Sequence, residues 1–349
     1  MRIIFLSIVY RTVRYFVTKY LYFVQNILGM KKNLEPAVKF GDSSLSNIFF
    51  LKRLIYDFDI PKNKSVEIFD MHFSSCLIGS SFKSDPRILD IWMRMGLGGL
   101  IFKTIMEKKR TGNLEPRLQD ANYKNIKGLY NSLGLPGMGI KQFLKYLENT
   151  ELWNYNRPLG VSIGGDNEKE YISNIIYLNK FLKSKEGRSF YELNISCPNT
   201  DNGKSICESP NSLENLLKKI RVEISSPISV KISPDISDEK LKEIAEICEG
   251  FEMILINAGN TQYKTPDQVD VKLDNFSMKG GGLSGAPLFK RTVEMVTILS
   301  SFKIPIIATG GISNIYHIKH LKSHGASLFG MASSLVLDPY CIPKIHSEI

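Results

Sequence analysis

The chain has 349 residues, of which 43% are hydrophobic and 23% are charged. This composition excludes a disordered protein and allows a large buried core, in two average domains or in one large α/β barrel. Lys and Arg outnumber Asp and Glu by 45 to 35, which gives a net charge of +10 and favours anionic lipid, nucleic acid or an anionic small substrate as a partner. The segment before Glu35 contains basic residues and no acidic ones, whereas positive and negative charges are mixed in the rest of the chain. Nucleic acid is therefore the weaker prediction.

The first thirty residues are apolar and aromatic, but Arg11, Arg14 and Lys19 interrupt them. No uninterrupted run approaches the roughly 20 apolar residues that a spanning helix needs. The pattern favours a peripheral helix at a membrane surface, with the basic side chains reaching the headgroups while the apolar ones enter the lipid boundary. A mitochondrial presequence and a helix that caps a barrel floor are the alternatives. We therefore expect association with the cytoplasmic face of a membrane or the mitochondrial inner membrane, with a cytoplasmic location as the alternative.

Residues 33 to 66 are polar and predict a connector with one or two helices, so we expect an N-terminal helical extension over 1–65 and a second domain over 66–349. In that second part, short apolar runs alternate with longer amphipathic stretches, such as a predicted helix after Ser237. The eight runs are CLIGS, GGLIFKT, LGVSIGG, YELNIS, ISVKIS, EMILINAG, IPIIATGG and ASLFGMA. Eight continuous apolar strands alternating with helices predict an α/β fold, a closed parallel (β/α)8 TIM barrel.

The five cysteines are odd in number and widely spaced, without a CxxC pair, so we expect a reducing compartment and no metal site. His317, His320 and His324 have nominal metal-ligand spacing, but a solvated helix face explains them better. Cys197, in YELNISCPNT, stands directly after a predicted strand. The residues leave it open as a nucleophile, a metal ligand, a proton acceptor or a small buried side chain. The lack of a nearby histidine in the sequence disfavours acyl transfer.

Polar residues stand at the ends of the predicted strands, where a barrel gathers its chemistry. Asn131, Asn194 and Asn257 offer both donors and acceptors, and Lys103 and Lys231 offer positive charge. Together they suit a planar anionic ligand rich in carbonyl and N–H groups, such as a pyrimidine. The glycines of ATGGIS and FGMASS, after the seventh and eighth strands, favour a phosphate site. KGGGLSGAPL, from Lys279, predicts a mobile loop or a clamp on the same ligand.

Six motifs resemble those of the dihydroorotate dehydrogenases, from about residue 66 to the end: GNLEPR, YNSLGLPG, ELNISCPNT, SVKISPD, GGLSGAPL and IIATGGIS. Members of this family are FMN-dependent β/α barrels that oxidise dihydroorotate to orotate in de novo pyrimidine (UMP) biosynthesis. The resemblance implies that Cys197 is the general base and that Lys103 meets both flavin and substrate. The implied substrate residues are Lys103, Asn131, Leu133, Gly134, Leu135, Asn194, Asn199 and Asn257. The implied FMN residues are Ser80, Ser81, Lys103, Lys231, Gly281, Gly282, Gly310, Gly311, Ala332 and Ser333.

The sequence mixes the branches of this family. A cysteine base and NSLGLP are typical of the soluble branch, which uses fumarate or NAD, whereas the N-terminal extension, PNT and GGLSGAPL resemble the membrane-associated branch, which uses quinone. The N-terminal segment favours quinone, and the resemblance also implies a homodimer. Phe82 departs from the small residues that we expect beside the flavin. Two alternatives stay open: a flavin oxidoreductase of the dihydropyrimidine or dihydrouridine type, which shares the barrel and a cysteine, and a non-catalytic barrel that has lost its flavin, which Phe82 suggests.

Overall fold

The computed structural model describes residues 1–62, 64–195 and 210–349. Cys197 and Asn199 lie outside the described residues. The helices are, in chain order, α1 (Arg2–Ile27), α2 (Glu35–Asn47), α3 (Lys52–Ile55), α4 (Pro86–Met95), α5 (Ile140–Asn149), α6 (Glu168–Leu182), α7 (Pro210–Glu223), α8 (Asp238–Glu249), α9 (Phe289–Leu299), α10 (Ile315–Ser323), α11 (Ser333–Leu337) and α12 (Cys341–Glu348). The strands are β1 (Val66–Ile68), β2 (Met71–Phe73), β3 (Leu77–Gly79), β4 (Gly99–Ile105), β5 (Leu118–Tyr123), β6 (Ile126–Asn131), β7 (Leu159–Ile163), β8 (Ser189–Leu193), β9 (Ile228–Ile232), β10 (Ile254–Ala258), β11 (Gln262–Lys264), β12 (Gly281–Ser284), β13 (Ile306–Thr309) and β14 (Leu328–Met331).

Eight parallel strands form a closed barrel in the order β3-β4-β7-β8-β9-β10-β13-β14, which returns to β3. These are the eight strands that the apolar runs predicted, so the predicted TIM barrel is confirmed. Every residue of β7, β8, β9 and β10 is buried because helices cover the outside while side chains fill the inside. The predicted helix after Ser237 is also confirmed as α8, which buries Leu241, Ile244, Ala245 and Cys248.

The barrel floor is closed by the antiparallel hairpin β1–β2, which was not predicted from the sequence. Ile68, Met71 and Phe73 of the hairpin pack with inward-facing residues near the starts of the barrel strands, such as Phe190 and Leu328. The alternative that the N-terminal helix caps the floor is therefore wrong. The predicted domain boundary at residue 65 stays a prediction; α3 ends at Ile55 and β1 begins at Val66.

A second, antiparallel sheet stands at the barrel mouth in the order β11-β12-β6-β5. Its strand β12 lies within the segment that was predicted to be a mobile loop or clamp, so the mobile loop is wrong there. Gly282 pairs with Asn131 in this sheet. A Cβ on Gly281 would lie 2.6 Å from the Asn131 carbonyl oxygen, and one on Gly282 would lie 2.1 Å from Thr261 Oγ1. These glycines therefore permit close approach of neighbouring strands.

Helix α1 lies beside the mouth and buries polar residues: Ser7, Thr18 and Gln25. The Ser7 hydroxyl donates to Asp338, and the Tyr10 hydroxyl donates to the Val336 carbonyl oxygen at 3.2 Å. Both acceptors follow the last barrel strand, so the extension is tied to the end of the chain. Among the described residues, no helix combines the length and the apolar character that crossing a bilayer requires.

Candidate active site

A cavity of about 610 Å³ opens where the barrel strands end, within the volume range of small-molecule sites. It brings together most of the predicted site residues: Ser80, Ser81, Lys103, Asn131, Leu133, Gly134, Leu135, Asn194, Lys231, Gly310, Gly311, Ala332 and Ser333. Gly281, Gly282 and Asn257 lie outside its lining. The first two belong to β12 and Asn257 is fully buried in β10. The strand ends thus converge on one site, as a barrel requires.

Positive charge dominates the lining of the cavity. Lysines and an arginine face it together with three carboxylates: Lys39, Lys83, Lys103, Arg117, Lys127 and Lys231, with Glu35, Asp42 and Asp85. Burial, together with the positive charges of Arg117 and Lys83, lowers the pKa of Lys103 to about 8, while the charge of Glu35 opposes this shift. An anion beside Lys103 would favour its ammonium form. The cavity is therefore suited to a negatively charged ligand.

The buried amide of Asn194 is fixed at the end of β8. Its Nδ2 donates to Thr104 Oγ1 at 2.9 Å, and its Oδ1 accepts from Asn260 Nδ2 at 3.4 Å. Thr104 Oγ1 is in turn 3.0 Å from Ser162 Oγ. Thr104 and Asn260 were not predicted from the sequence, although both line the cavity. This chain of bonds holds the amide in one orientation, which a selective polar site needs.

The segment after β6 forms another wall of the cavity. Asn131 ends the strand, and its Nδ2 donates to the Gly282 carbonyl oxygen at 3.4 Å. Gly134 has φ 71°, and a Cβ there would lie 2.6 Å from Asn113 Oδ1. Leu135 has φ 52°, which is unusual for a side-chain-bearing residue. The second sheet thus positions the predicted substrate loop over the barrel mouth.

A fully buried carboxylate, that of Glu192 on β8, was not predicted from the sequence. Ser81 Oγ donates to its Oε1 at 2.6 Å and Asn257 Nδ2 donates to its Oε2 at 2.7 Å. Lys231 Nζ is 3.8 Å from Oε1 and donates to Ser81 Oγ at 2.9 Å. The signal in the sequence was an acidic residue within the apolar run FYEL, because a charge inside a barrel strand needs partners.

The lining fits a phosphate-bearing cofactor. The buried hydroxyls of Ser80 and Thr309 have no hydrogen-bond partner among the described residues. Gly310 and Gly311 follow β13 with φ 140° and 73°, conformations that favour glycine and expose backbone groups. Unpaired hydroxyl donors beside a glycine turn are what a phosphate requires.

Phe82, the departure from the expected small residues, stacks on Trp92 of α4. The ring centroids are 5.3 Å apart and the planes are 27° from parallel. The ring also packs against the hydrophobic core, although the residue contributes to the cavity lining. This contact holds the ring on the helix side of the first-strand loop.

A second, apolar cavity of about 200 Å³ lies between α1, α2 and the barrel. Its walls are mainly aliphatic, with Leu6, Val9 and Ala37 among them. Thr18 Oγ1 is buried beside this cavity without a hydrogen-bond partner among the described residues, and Arg14, which also lines it, has its Nη2 3.9 Å from Asp120 Oδ1. The two cavities adjoin, because both are lined by Val38, Asp42, Lys83 and Val336.

The closed barrel and its cation-lined, hydroxyl-rich mouth define a β/α-barrel protein with a cavity suited to anionic, phosphate-bearing ligands. A family model described as dihydroorotate dehydrogenase matches residues 64–349. The chain therefore belongs to the dihydroorotate dehydrogenase family, as its motifs predicted. Enzymes of this family are FMN-dependent flavoproteins that oxidise dihydroorotate in pyrimidine biosynthesis.

The relatives differ in the oxidant that their names give. The catalytic subunit of dihydroorotate dehydrogenase B (NAD(+)) of Malacoplasma penetrans is 30% identical over 256 residues, covering 72% of this chain and 80% of the relative. The dihydroorotate dehydrogenase (quinone) of Hamiltonella defensa is 28% identical, covering 82% and 87%. A crystal structure of DHODH from Eimeria tenella in complex with ferulenol superposes with a TM-score of 0.73 at 20% identity, covering 88% and 90%, and supports the fold.

Proposed function

We propose that this chain oxidises dihydroorotate to orotate with bound FMN. The observation that carries the proposal is the convergence of Lys103, Asn131 and Asn194 on the cavity that also holds Lys231 and the unpaired hydroxyls. The ammonium of Lys103 would pair with the substrate carboxylate. The amides would bind the carbonyl and N–H groups of the ring, which is why both a donor and an acceptor are needed on each side chain.

Cys197 is the proposed general base, which takes the proton from substrate C5. In the chain it follows Asn194, an amide of the cavity lining, by three residues. A base of this kind needs reach to the proton and a tuned pKa, without an activating histidine. Asn199 and Asn257 stay proposed as further amides around the substrate.

FMN, when bound, accepts the hydride that leaves the substrate. The side chains proposed to hold it are Ser80, Ser81, Lys103 and Lys231. Gly310, Gly311, Ala332 and Ser333 would donate backbone or hydroxyl groups to its phosphate. Gly281 and Gly282, on the neighbouring β12, stay proposed as cofactor contacts through their backbone.

The test is the visible absorption spectrum of the purified protein before and after anaerobic dihydroorotate. We expect a yellow protein that bleaches. A yellow protein that bleaches with a dihydropyrimidine and not with dihydroorotate would show that the proposed substrate is wrong. A colourless protein that cannot be loaded with FMN would support the non-catalytic barrel.

We further propose a quinone as the electron acceptor. The apolar cavity adjoins the polar one and would hold the ring and tail of a quinone in aliphatic surroundings. Thr18 Oγ1 is the unpaired donor that a quinone carbonyl would accept from, and Arg14 lies one helical turn away with its Nη2 3.9 Å from Asp120 Oδ1. NAD and fumarate are polar and would gain little from such walls.

A larger side chain in the apolar cavity should slow electron transfer to a quinone but not to other acceptors. We expect Ala37→Phe to lower the rate with a soluble ubiquinone analogue by at least about tenfold, because overpacking excludes a ligand of matching shape. The rate with ferricyanide should stay unchanged. Ser43→Phe, at an exposed position of the same helix α2, is the control. An equal loss with both acceptors would contradict the proposed quinone site.

The exposed side of the extension is the proposed membrane contact. Helix α1 exposes aromatic and aliphatic side chains while it buries polar ones: Ile4, Phe5, Ile8, Phe16, Tyr20, Phe23 and Ile27 are each more than half exposed. Phe50 and Leu54 extend the apolar area beyond α2. Arg11 and Lys19 on the same exposed helix would meet anionic headgroups. Self-association as a homodimer stays a family-based proposal.

Vesicle binding tests this surface. We expect the full chain to co-sediment with vesicles of phosphatidylcholine and phosphatidylglycerol, and Phe16→Glu/Phe23→Glu to bind at least about tenfold more weakly, since each ring contributes roughly 1.5–3 kcal/mol when buried. The control is Val222→Glu/Tyr316→Glu, which changes two exposed apolar residues on barrel helices. If both double variants bind the vesicles equally well, α1 is not the membrane contact.

A further inference from the structure

The buried network around Glu192 joins four barrel strands or their loops beside the cavity. Its members are Glu192 on β8, Ser81 after β3, Lys231 on β9 and Asn257 on β10. Ser81 and Lys231 line the cavity, whereas Glu192 and Asn257 are fully buried behind them. The carboxylate therefore acts on the cavity through residues that face it and through its own charge.

We infer that Glu192 is a positioning residue that fixes Ser81, Lys231 and Asn257 and holds the reduction potential of the bound cofactor low. The inference rests on the proposed FMN binding and goes beyond it. Both carboxylate oxygens accept hydrogen bonds, Oε1 from Ser81 and Oε2 from Asn257. Because both oxygens of this carboxylate accept a hydrogen bond, the Ser81 hydroxyl and the Asn257 amide are each held in one orientation.

The sign of the effect follows from charge. Reduction of bound FMN adds negative charge, which the ammonium of Lys231 favours and the carboxylate of Glu192 opposes. The two charges lie 3.8 Å apart, and the side chains are 8% and 0% exposed, so water screens them little. Glu192 therefore offsets part of the field that Lys231 exerts on the cofactor. Removing the negative charge should make the cofactor easier to reduce.

The variant Glu192→Gln removes this charge and keeps the shape. Its new NH2 group would face Asn257, whose Oδ1 has no hydrogen-bond partner among the described residues. A flip of the Asn257 amide would therefore restore a hydrogen bond. Glu192→Asp keeps the charge but withdraws it by one methylene, so it preserves the ion pair in weaker form and provides a second variant should Glu192→Gln fail to fold.

The experiment is the midpoint potential of the FMN-loaded protein, measured by reduction with dithionite in equilibrium with a reference dye. We expect a shift to more positive potential for Glu192→Gln and a smaller shift in the same direction for Glu192→Asp. The control is Glu168→Gln, which breaks the surface ion pair between Glu168 and Lys219 and should leave the potential unchanged. A purely structural role would lower FMN retention or stability without this graded shift.

A midpoint equal to that of the wild type in whichever Glu192 variant folds would overturn the inference. The measurement needs no dihydroorotate, so it separates the two proposals. If the wild-type protein holds FMN but does not bleach with dihydroorotate, the proposed substrate is contradicted. The midpoint potential of the FMN would still test the role of Glu192. A protein that takes up no FMN would overturn both.

Discussion

Cys197→Ala slows anaerobic bleaching of the flavin by dihydroorotate by about 10² to 10⁴-fold, which is the contribution of a general base. FMN content stays at the wild-type level, because the proposed cofactor residues lie on the strand ends and not on this side chain. The measurement is stopped-flow absorbance at saturating dihydroorotate. Saturation removes any change in substrate affinity from the comparison.

The control for this variant is Cys76→Ala, because Cys76 lies directly before β3, at the end of the barrel away from the cavity. Its bleaching rate should equal that of the wild type. Cys197→Ser should retain more activity than Cys197→Ala, since a hydroxyl still accepts a proton. If Cys197→Ala bleaches as fast as Cys76→Ala, another group is the base.

Lys103→Met weakens orotate binding by roughly 10 to 150-fold, since a hydrogen bond to a charged group contributes about 1.5–3 kcal/mol. Orotate affinity is measured by calorimetric titration of the FMN-loaded protein with orotate. The control is Lys127→Met, an exposed lysine at the rim of the same cavity. A similar loss in both variants would mean that general positive charge, and not Lys103, binds the substrate.

The same lysine predicts the pH dependence of binding. The pKa of Lys103 in the free protein is lowered to about 8, so its ammonium form predominates below pH 8 and is lost above it. Since the anionic substrate needs the ammonium, affinity should be constant below about pH 7, begin to fall near pH 8 and then fall by about tenfold per pH unit. Lys103→Arg, which stays charged, should abolish this step. A wild-type affinity that is flat from pH 7 to pH 10 would contradict the role of Lys103.

The barrel and the outline of the site were predictable because their signals are local. Each barrel strand is a short apolar run, and its polar end residue stands next to it in the sequence. Lys103, Asn194, Lys231 and the Gly310 turn could therefore be placed at the mouth from the sequence alone. The glycines after the last two strands, which are proposed to hold the cofactor phosphate, follow the same logic.

The remaining features depend on contacts between distant residues. The second sheet pairs Asn131 with Gly282, and neither strand has a long alternating pattern, so KGGGLSGAPL resembled a loop. Glu192 was missed because its partners come from three other strands. The orientation of α1 could not be predicted either, because the helix buries the polar residues Ser7, Thr18 and Gln25 while aromatic residues such as Phe16, Tyr20 and Phe23 face outward.

The contact between Ser7 and Asp338 spans 331 positions of the chain, and that between Asn131 and Gly282 spans 151. During synthesis, the N-terminal helix therefore emerges long before the segment against which it docks. The aliphatic side chains of α1 that line the apolar cavity, such as Leu6 and Val9, stay uncovered over that interval, and apolar surface that is exposed on an incomplete chain promotes aggregation. The wall of the apolar cavity includes Leu335, Val336 and Tyr340, and the lining of the larger cavity ends at Leu337, so a chain that stops short of residue 335 is expected to leave both cavities incomplete.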